Sequence, residues 1–140
     1  MNTLFVDTVY WIALLHPGER FHRYAVAQWT LREDCLWVTS DLVLIEVLNF
    51  FAGRGATFRQ VAVGLVECLQ DRPNTHVVRL PDMNLALAVG LYDGRRDKGW
   101  SLTDCSSFVI MERMNIREAL TLDKHFEQAG YGIIMKHEDT

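Results

Sequence analysis

The sequence predicts an α/β fold in which helices cover both faces of a central parallel sheet of about five strands. Three observations carry that expectation. Segments such as "TLFVD", "CLWVT" and "HVVRL" are short and apolar rather than alternating, as strands buried on both faces are. Longer segments with helical character separate them. The chain has 140 residues, 49% hydrophobic and 23% charged, which suits a single domain over residues 1–140 with a sizeable core.

The elements follow in order. Leu4–Val6 reads as a buried strand. "TVYWIALL" follows it and stops at His16-Pro17-Gly18. A helix from about Arg20 to Arg32 carries an imperfect helical repeat, and "CLWVT" is the second strand. Ser40-Asp41 cap a helix to about Ala52, stopped at Gly53. Thr57–Leu69 is a helix and "HVVRL" the third strand. Pro81 suits the first turn of a helix to about Tyr92. After the polar loop "DGRRDKGW", Ser101 opens a helix to about Met114. "EALTL" is the fourth strand, Lys124–Gln128 a turn or two of helix, and "GIIM" a short fifth strand.

Bulk properties exclude several classes. The net charge of −4 argues against a module that grips nucleic acid by basic charge alone. It leaves open a nucleic-acid enzyme whose positive charge comes from a metal ion. The three cysteines, Cys35, Cys68 and Cys105, are widely spaced, so neither a disulfide framework nor a structural zinc site is expected. Reduced thiols suit a cytoplasmic protein. The apolar N-terminus lacks a basic region and is interrupted by Asp7, and no run of roughly 18 apolar residues reads as a membrane span.

Ligands of open α/β sheets gather at the carboxyl ends of the strands, and acids fall in suitable places. Asp7 follows the first strand and Asp123 the fourth; each also fits a helix N-cap. Glu46 has Leu42, Val43, Asn49 and Phe50 as its helical neighbours, so it either finds a partner or snorkels at the edge of the core. Asp104 with Ser101 fits a capping box. No Lys or Arg stands three or four residues from Glu46 or Asp104. Clustered carboxylates repel one another, and a divalent cation removes that cost. Oxygen ligands favour Mg²⁺ or Mn²⁺ over Zn²⁺.

"FVDTVYWIALL", "SDLVLIEVLNFF", "DKGWSLTDCSSFVIM" and "ALTLDKHF", in that order, resemble the PIN-domain ribonucleases, and within them the VapC-type toxins. The resemblance spans nearly the whole chain. It implies a three-layer α/β/α fold and an acidic pocket for Mg²⁺ or Mn²⁺ formed by Asp7, Glu46, Asp104 and Asp123. The last of these falls at the family's most variable acid. It also implies endoribonuclease activity on RNA, a cognate antitoxin and a homodimer.

Other residues are open to two readings. Thr8 and Ser101 either cap helices or orient the acids and a metal-bound water. Asp97 is a further candidate acid or a solvated loop residue. Arg95, Arg96 and Lys98 can hold RNA phosphates, with Trp100 either stacking on a base or turned into the core. His16, His22, His76, His125 and His137 form no Ser-His-Asp pattern. His125 is within reach of the pocket, but exposure is the default. Tyr10, Trp11, Phe50 and Phe51 either line an apolar groove for an antitoxin helix or fill the core or a homodimer interface.

Two rival functions remain. A phosphatase or phospho-acceptor domain would want acids two residues after Asp7 or before the first strand, where Val9 and Asn2-Thr3 stand. A non-catalytic RNA- or protein-binding module would be signalled by loss of one of the four acids, and all four are present.

Overall fold

The computed structural model describes residues 2–135. Its strands are β1 (Thr3–Val6), β2 (Leu36–Ser40), β3 (Thr75–Val78), β4 (Glu118–Leu120) and β5 (Gly132–Ile133). They form one parallel sheet in the order β3-β2-β1-β4-β5. The helices among the described residues are α1 (Thr8–Leu15), α2 (His22–Leu31), α3 (Asp41–Phe51), α4 (Ala56–Asp71), α5 (Leu85–Gly94), α6 (Leu102–Arg113) and α7 (Lys124–Gln128). The chain moves outward from β1 through β2 to β3, then crosses back to β4 on the other side of β1. Right-handed crossovers therefore place α1–α4 on one face and α5–α7 on the other. The order reverses between β1 and β4, so both strands deliver their following residues into the crevice where such sheets bind ligands.

Alternation along β1 and β2 builds both cores. Leu4 pairs in register with Trp37, and both face the α1–α4 layer. There Trp37 meets the rings of Tyr10 at 5.4 Å and Trp29 at 5.8 Å, and Trp11 lies 6.1 Å away. The Arg72 guanidinium stacks 3.8 Å from the Trp29 ring centre and donates to the Trp29 carbonyl at 3.1 Å. On the other face Phe5 meets Phe126, which packs edge-on against Phe108.

The structure corrects several local readings. Pro81 lies in a separate 3₁₀ turn, Leu80–Asp82, rather than in the first turn of α5. Asn84 breaks the two apart with φ 52°, a conformation Asn tolerates, and its side chain accepts from Leu87 N–H. β3 stops at Val78 because the Asp41 carboxylate takes the Leu80 N–H at 2.9 Å. β5 is two residues long, beside a β4 of only three.

The apolar groove is also corrected. Tyr10, Trp11 and Phe51 are fully buried, and Phe50 is half-buried under the Arg54 guanidinium, 3.9 Å from its ring centre. The aromatics beside the acids are core rather than groove. Trp100 is likewise buried, edge-on to Phe108, with its indole N–H donated to Gln128 at 3.1 Å, so it is not free to stack on a base.

The test is direct. Trp11 donates to the Thr39 hydroxyl, which donates in turn to the Val6 carbonyl. Trp11→Ala should destabilise the fold by about 3–5 kcal/mol, read by urea unfolding. A loss under about 1 kcal/mol would show that the ring is not part of the core.

Candidate active site

The carboxyl ends of β1 and β4 open onto a cleft of about 470 Å³. Asp7, Thr8, Val9, Ile12, Glu46, Gly99, Ser101, Asp104, Leu122, Asp123 and His125 line it. The four acids singled out in the sequence therefore share one cleft, and among the described residues no Lys or Arg lines it.

Asp7 stands at the N-cap position of α1, yet its side chain makes no cap hydrogen bond. Instead Oδ2 accepts from the Thr121 hydroxyl at 2.9 Å. Asp7 is only 6% exposed, and burial pushes its carboxyl up from 3.8 to about 7. The Thr8 N–H and the Thr121 hydroxyl pull it back, and the charges of Asp104 and Asp123 push it further up.

Glu46 projects from α3 across the cleft from β4. Thr8 donates its hydroxyl to Glu46 Oε1 at 2.7 Å. Thr8 is thus an orienting residue for Glu46, and the partner that this glutamate needs on a mostly apolar helix is a hydroxyl.

Asp104 is held by the capping box visible in the sequence. Ser101 Oγ accepts from the Asp104 N–H, and Asp104 Oδ2 accepts from the Ser101 N–H at 3.1 Å. Capping and site membership coexist in one side chain, because Asp104 is buried at the cleft wall. Asp123 caps α7, accepting on Oδ1 from the His125 N–H at 2.9 Å. Its own N–H is donated to the Thr121 hydroxyl at 3.0 Å. That bond fixes the hydroxyl's lone pair and so aims its proton at Asp7.

Two residues enter that sequence reasoning missed or discounted. Thr121 is wholly buried and joins the Asp7 and Asp123 segments. Its place two residues before a strand-end acid was the available signal. His125 turns into the cleft, with Nδ1 2.9 Å from Asp104 Oδ2 and 3.4 Å from Asp123 Oδ1. Ligand atoms of Asp104, Asp123 and His125 lie within 4.8 Å of one another. The carboxylate-rich set, unbalanced by any lining Lys or Arg, fits a hard divalent cation.

The loop residues lie apart. Asp97 is exposed and pairs with Arg95 at 3.1 Å, outside the cleft lining. Arg96 pairs with Asp93, and Lys98 lies 3.8 Å from Asp97. These three cations reach the cleft only through their neighbour Gly99. His137 falls outside the described residues.

The PIN domain family pattern matches residues 4–131, and the chain belongs to that family. Within it, the chain is 29% identical over 134 residues to "23S rRNA-specific endonuclease VapC20" from two strains of Mycobacterium tuberculosis, covering 91% of this chain and 95% of that protein. The crystal structure of Mycobacterium tuberculosis VapC20, described as a Sarcin-Ricin loop cleaving toxin, has TM-score 0.81 and 25% identity, covering 94% of this chain and 98% of that one. FitAcB from Neisseria gonorrhoeae shares the fold, with TM-score 0.61, 15% identity and coverage of 94% and 96%.

The raised Asp7 carboxyl has a thermodynamic consequence. Between about pH 4 and 7 the unfolded chain has released a proton that the folded chain retains, so folding stability falls as pH rises through this window. Below it both states are protonated and the penalty vanishes. Melting temperature in EDTA should therefore decline from pH 5 to pH 8. Asp7→Asn should flatten that decline and melt higher than wild type at pH 8. Thr121→Val, which removes a downward pull on Asp7, should steepen it. A wild-type slope retained in Asp7→Asn would assign the pH dependence to another group.

Proposed function

We propose that this chain, as a single PIN-like domain over residues 1–140, is an endoribonuclease that hydrolyses RNA phosphodiester bonds with Mg²⁺ or Mn²⁺. The observation that carries the reading is the convergence of Asp7, Glu46, Asp104 and Asp123 on one cleft, at the reversal of strand order, with no Lys or Arg in its lining.

The four acids would hold the cation. Thr8 orients Glu46, Ser101 anchors Asp104, and Thr121 ties Asp7 to the Asp123 loop. When bound, the cation supplies positive charge for the phosphate and acidifies the attacking water. Asp104 Oδ2 is occupied by its cap, leaving Oδ1 without a protein hydrogen bond among the described residues. Any acid oxygen not engaged by the cation can accept the water's proton. Attack in line with the leaving oxygen gives 5′-phosphate and 3′-hydroxyl ends. Arg95, Arg96 and Lys98, on the loop that leads into Gly99, would meet the phosphates flanking the cut once RNA competes for their loop carboxylates.

The likeness to VapC20 supports a toxin of a toxin–antitoxin pair and makes structured ribosomal RNA the first substrate to test. A homodimer is proposed from the sequence's resemblance to VapC-type toxins, and a cytoplasmic location from its three free cysteines. No helix among the described residues is long and apolar enough to cross a membrane.

The experiment is cleavage of an RNA panel, ribosomal RNA included, with Mg²⁺, Mn²⁺ or EDTA, followed by analysis of product ends. Cleavage should require the cation. Asp7→Asn and Asp104→Asn should each lose more than the ~10–100-fold that removal of an outer partner costs. Cleavage that persists in EDTA, or in either variant, would overturn the reading.

An antitoxin that places an Arg or Lys among these carboxylates would compete with the cation. Inhibition by the product of a neighbouring reading frame should then weaken as Mg²⁺ rises at constant ionic strength. Inhibition unchanged by Mg²⁺ would place the inhibitor elsewhere.

A further inference from the structure

His125 is not one of the four acids, yet it makes the shortest cross-element contact to Asp104. Its backbone and ring act on different partners. The N–H is spent on Asp123 Oδ1 as the cap of α7. The ring turns back so that Nδ1 lies 2.9 Å from Asp104 Oδ2, with Asp123 Oδ1 at 3.4 Å. A carboxylate only accepts, so Nδ1 carries the proton that is shared between them. The neutral tautomer with its proton on Nδ1 makes this contact, and so does the imidazolium.

The contact joins the first turn of α6 to the first turn of α7, two helices that also meet through the Phe108 and Phe126 rings. The oxygens it touches are those already tied down by the two caps, Asp104 Oδ2 by the Ser101 N–H and Asp123 Oδ1 by the His125 N–H. The second oxygen of each carboxylate carries no protein hydrogen bond among the described residues. A ring hydrogen-bonded to the anchored oxygen of Asp104, with the anchored oxygen of Asp123 3.4 Å from the same nitrogen, fixes the separation and facing of the free pair without occupying them.

We propose that His125 is a positioning residue: its Nδ1–H clamps Asp104 to Asp123 and presets their free oxygens for the divalent cation. This inference rests on the cation-binding reading above. The sequence can hold such a clamp because Asp123-x-His125 at a helix start returns the ring over its own cap. Loss of an outer partner of a metal-ligating carboxylate costs roughly 10–100-fold in affinity.

The test is calorimetric titration of the full chain with MnCl₂ alone, in wild type, His125→Asn, His125→Gln and His125→Ala, with melting curves in EDTA for each. Asn can place an amide N–H where Nδ1 stands; Gln places it where Nε2 stands. His125→Asn should bind Mn²⁺ within about threefold of wild type, while His125→Gln and His125→Ala should weaken by about tenfold or more. Equal or tighter binding in His125→Ala would overturn the clamp and make the ring a placeholder in the cation's position. His125→Asn as weak as His125→Ala would overturn it too. If wild type itself binds no Mn²⁺, the cation reading fails first, and the clamp with it.

Discussion

A carboxylate at the end of the central strand is the constraint on which the rest of the site depends. Asp7 is where it is because β1 is the middle strand and α1 must start immediately after it. That placement buries the side chain, which disfavours its charge. The Thr8 N–H and the Thr121 hydroxyl work against this cost, while the charges of Asp104 and Asp123 add to it. The Thr121 hydroxyl donates to Asp7, and the Asp123 N–H holds Thr121 in the orientation that lets it donate. Two strand ends are thereby fastened together across the reversal of strand order.

Hydroxyl groups do most of the orienting. Thr8, Ser101 and Thr121 each serve a different acid, and none brings a charge of its own. Lysines or arginines in these places would neutralise the acids permanently. Hydroxyls fix geometry while leaving negative charge available, as the proposed cation-binding role requires.

Those cores seat the helices that carry the site. Trp11, Trp37 and Tyr10 interlock beneath α1, one turn beyond Asp7, and Phe5, Phe108 and Phe126 interlock beneath α6 and α7. Each cluster roots a helix whose start carries an acid, Asp7 as the N-cap of α1, Asp104 in the first turn of α6 and Asp123 as the N-cap of α7. The likeness to VapC20 over nearly the full length of both chains is a likeness of this frame, of helices seated on a sheet so that their starts meet.

The sequence by itself determined what local chemistry can encode. Apolar strands alternating with helices required a parallel sheet, strand-end aspartates marked the crevice, and Ser101-x-x-Asp104 specified the cap of α6. It also marked Glu46 as needing a partner, because its helical neighbours are mostly apolar. Tertiary structure decided what depends on distant segments. Whether Tyr10 and Trp11 made a groove or a core depended on the approach of Trp37 in β2 and Trp29 in α2, and the burial of Phe51 on Phe58 in α4. Whether Trp100 met solvent depended on Gln128 and Phe108. Thr121 looked like any strand threonine until β4 lay beside β1, and His125 like a surface histidine until α7 began next to α6. Hydrogen bonds between residues 114 positions apart, as Asp7 and Thr121 are, leave no periodicity or spacing in a single chain. Sequence could name Asp7, Asp104 and Asp123 because each sits at a helix start, where local signals are strongest, and Glu46, in the middle of α3, because of its apolar helical neighbours. The groups that orient them became visible only when packing closed the gaps.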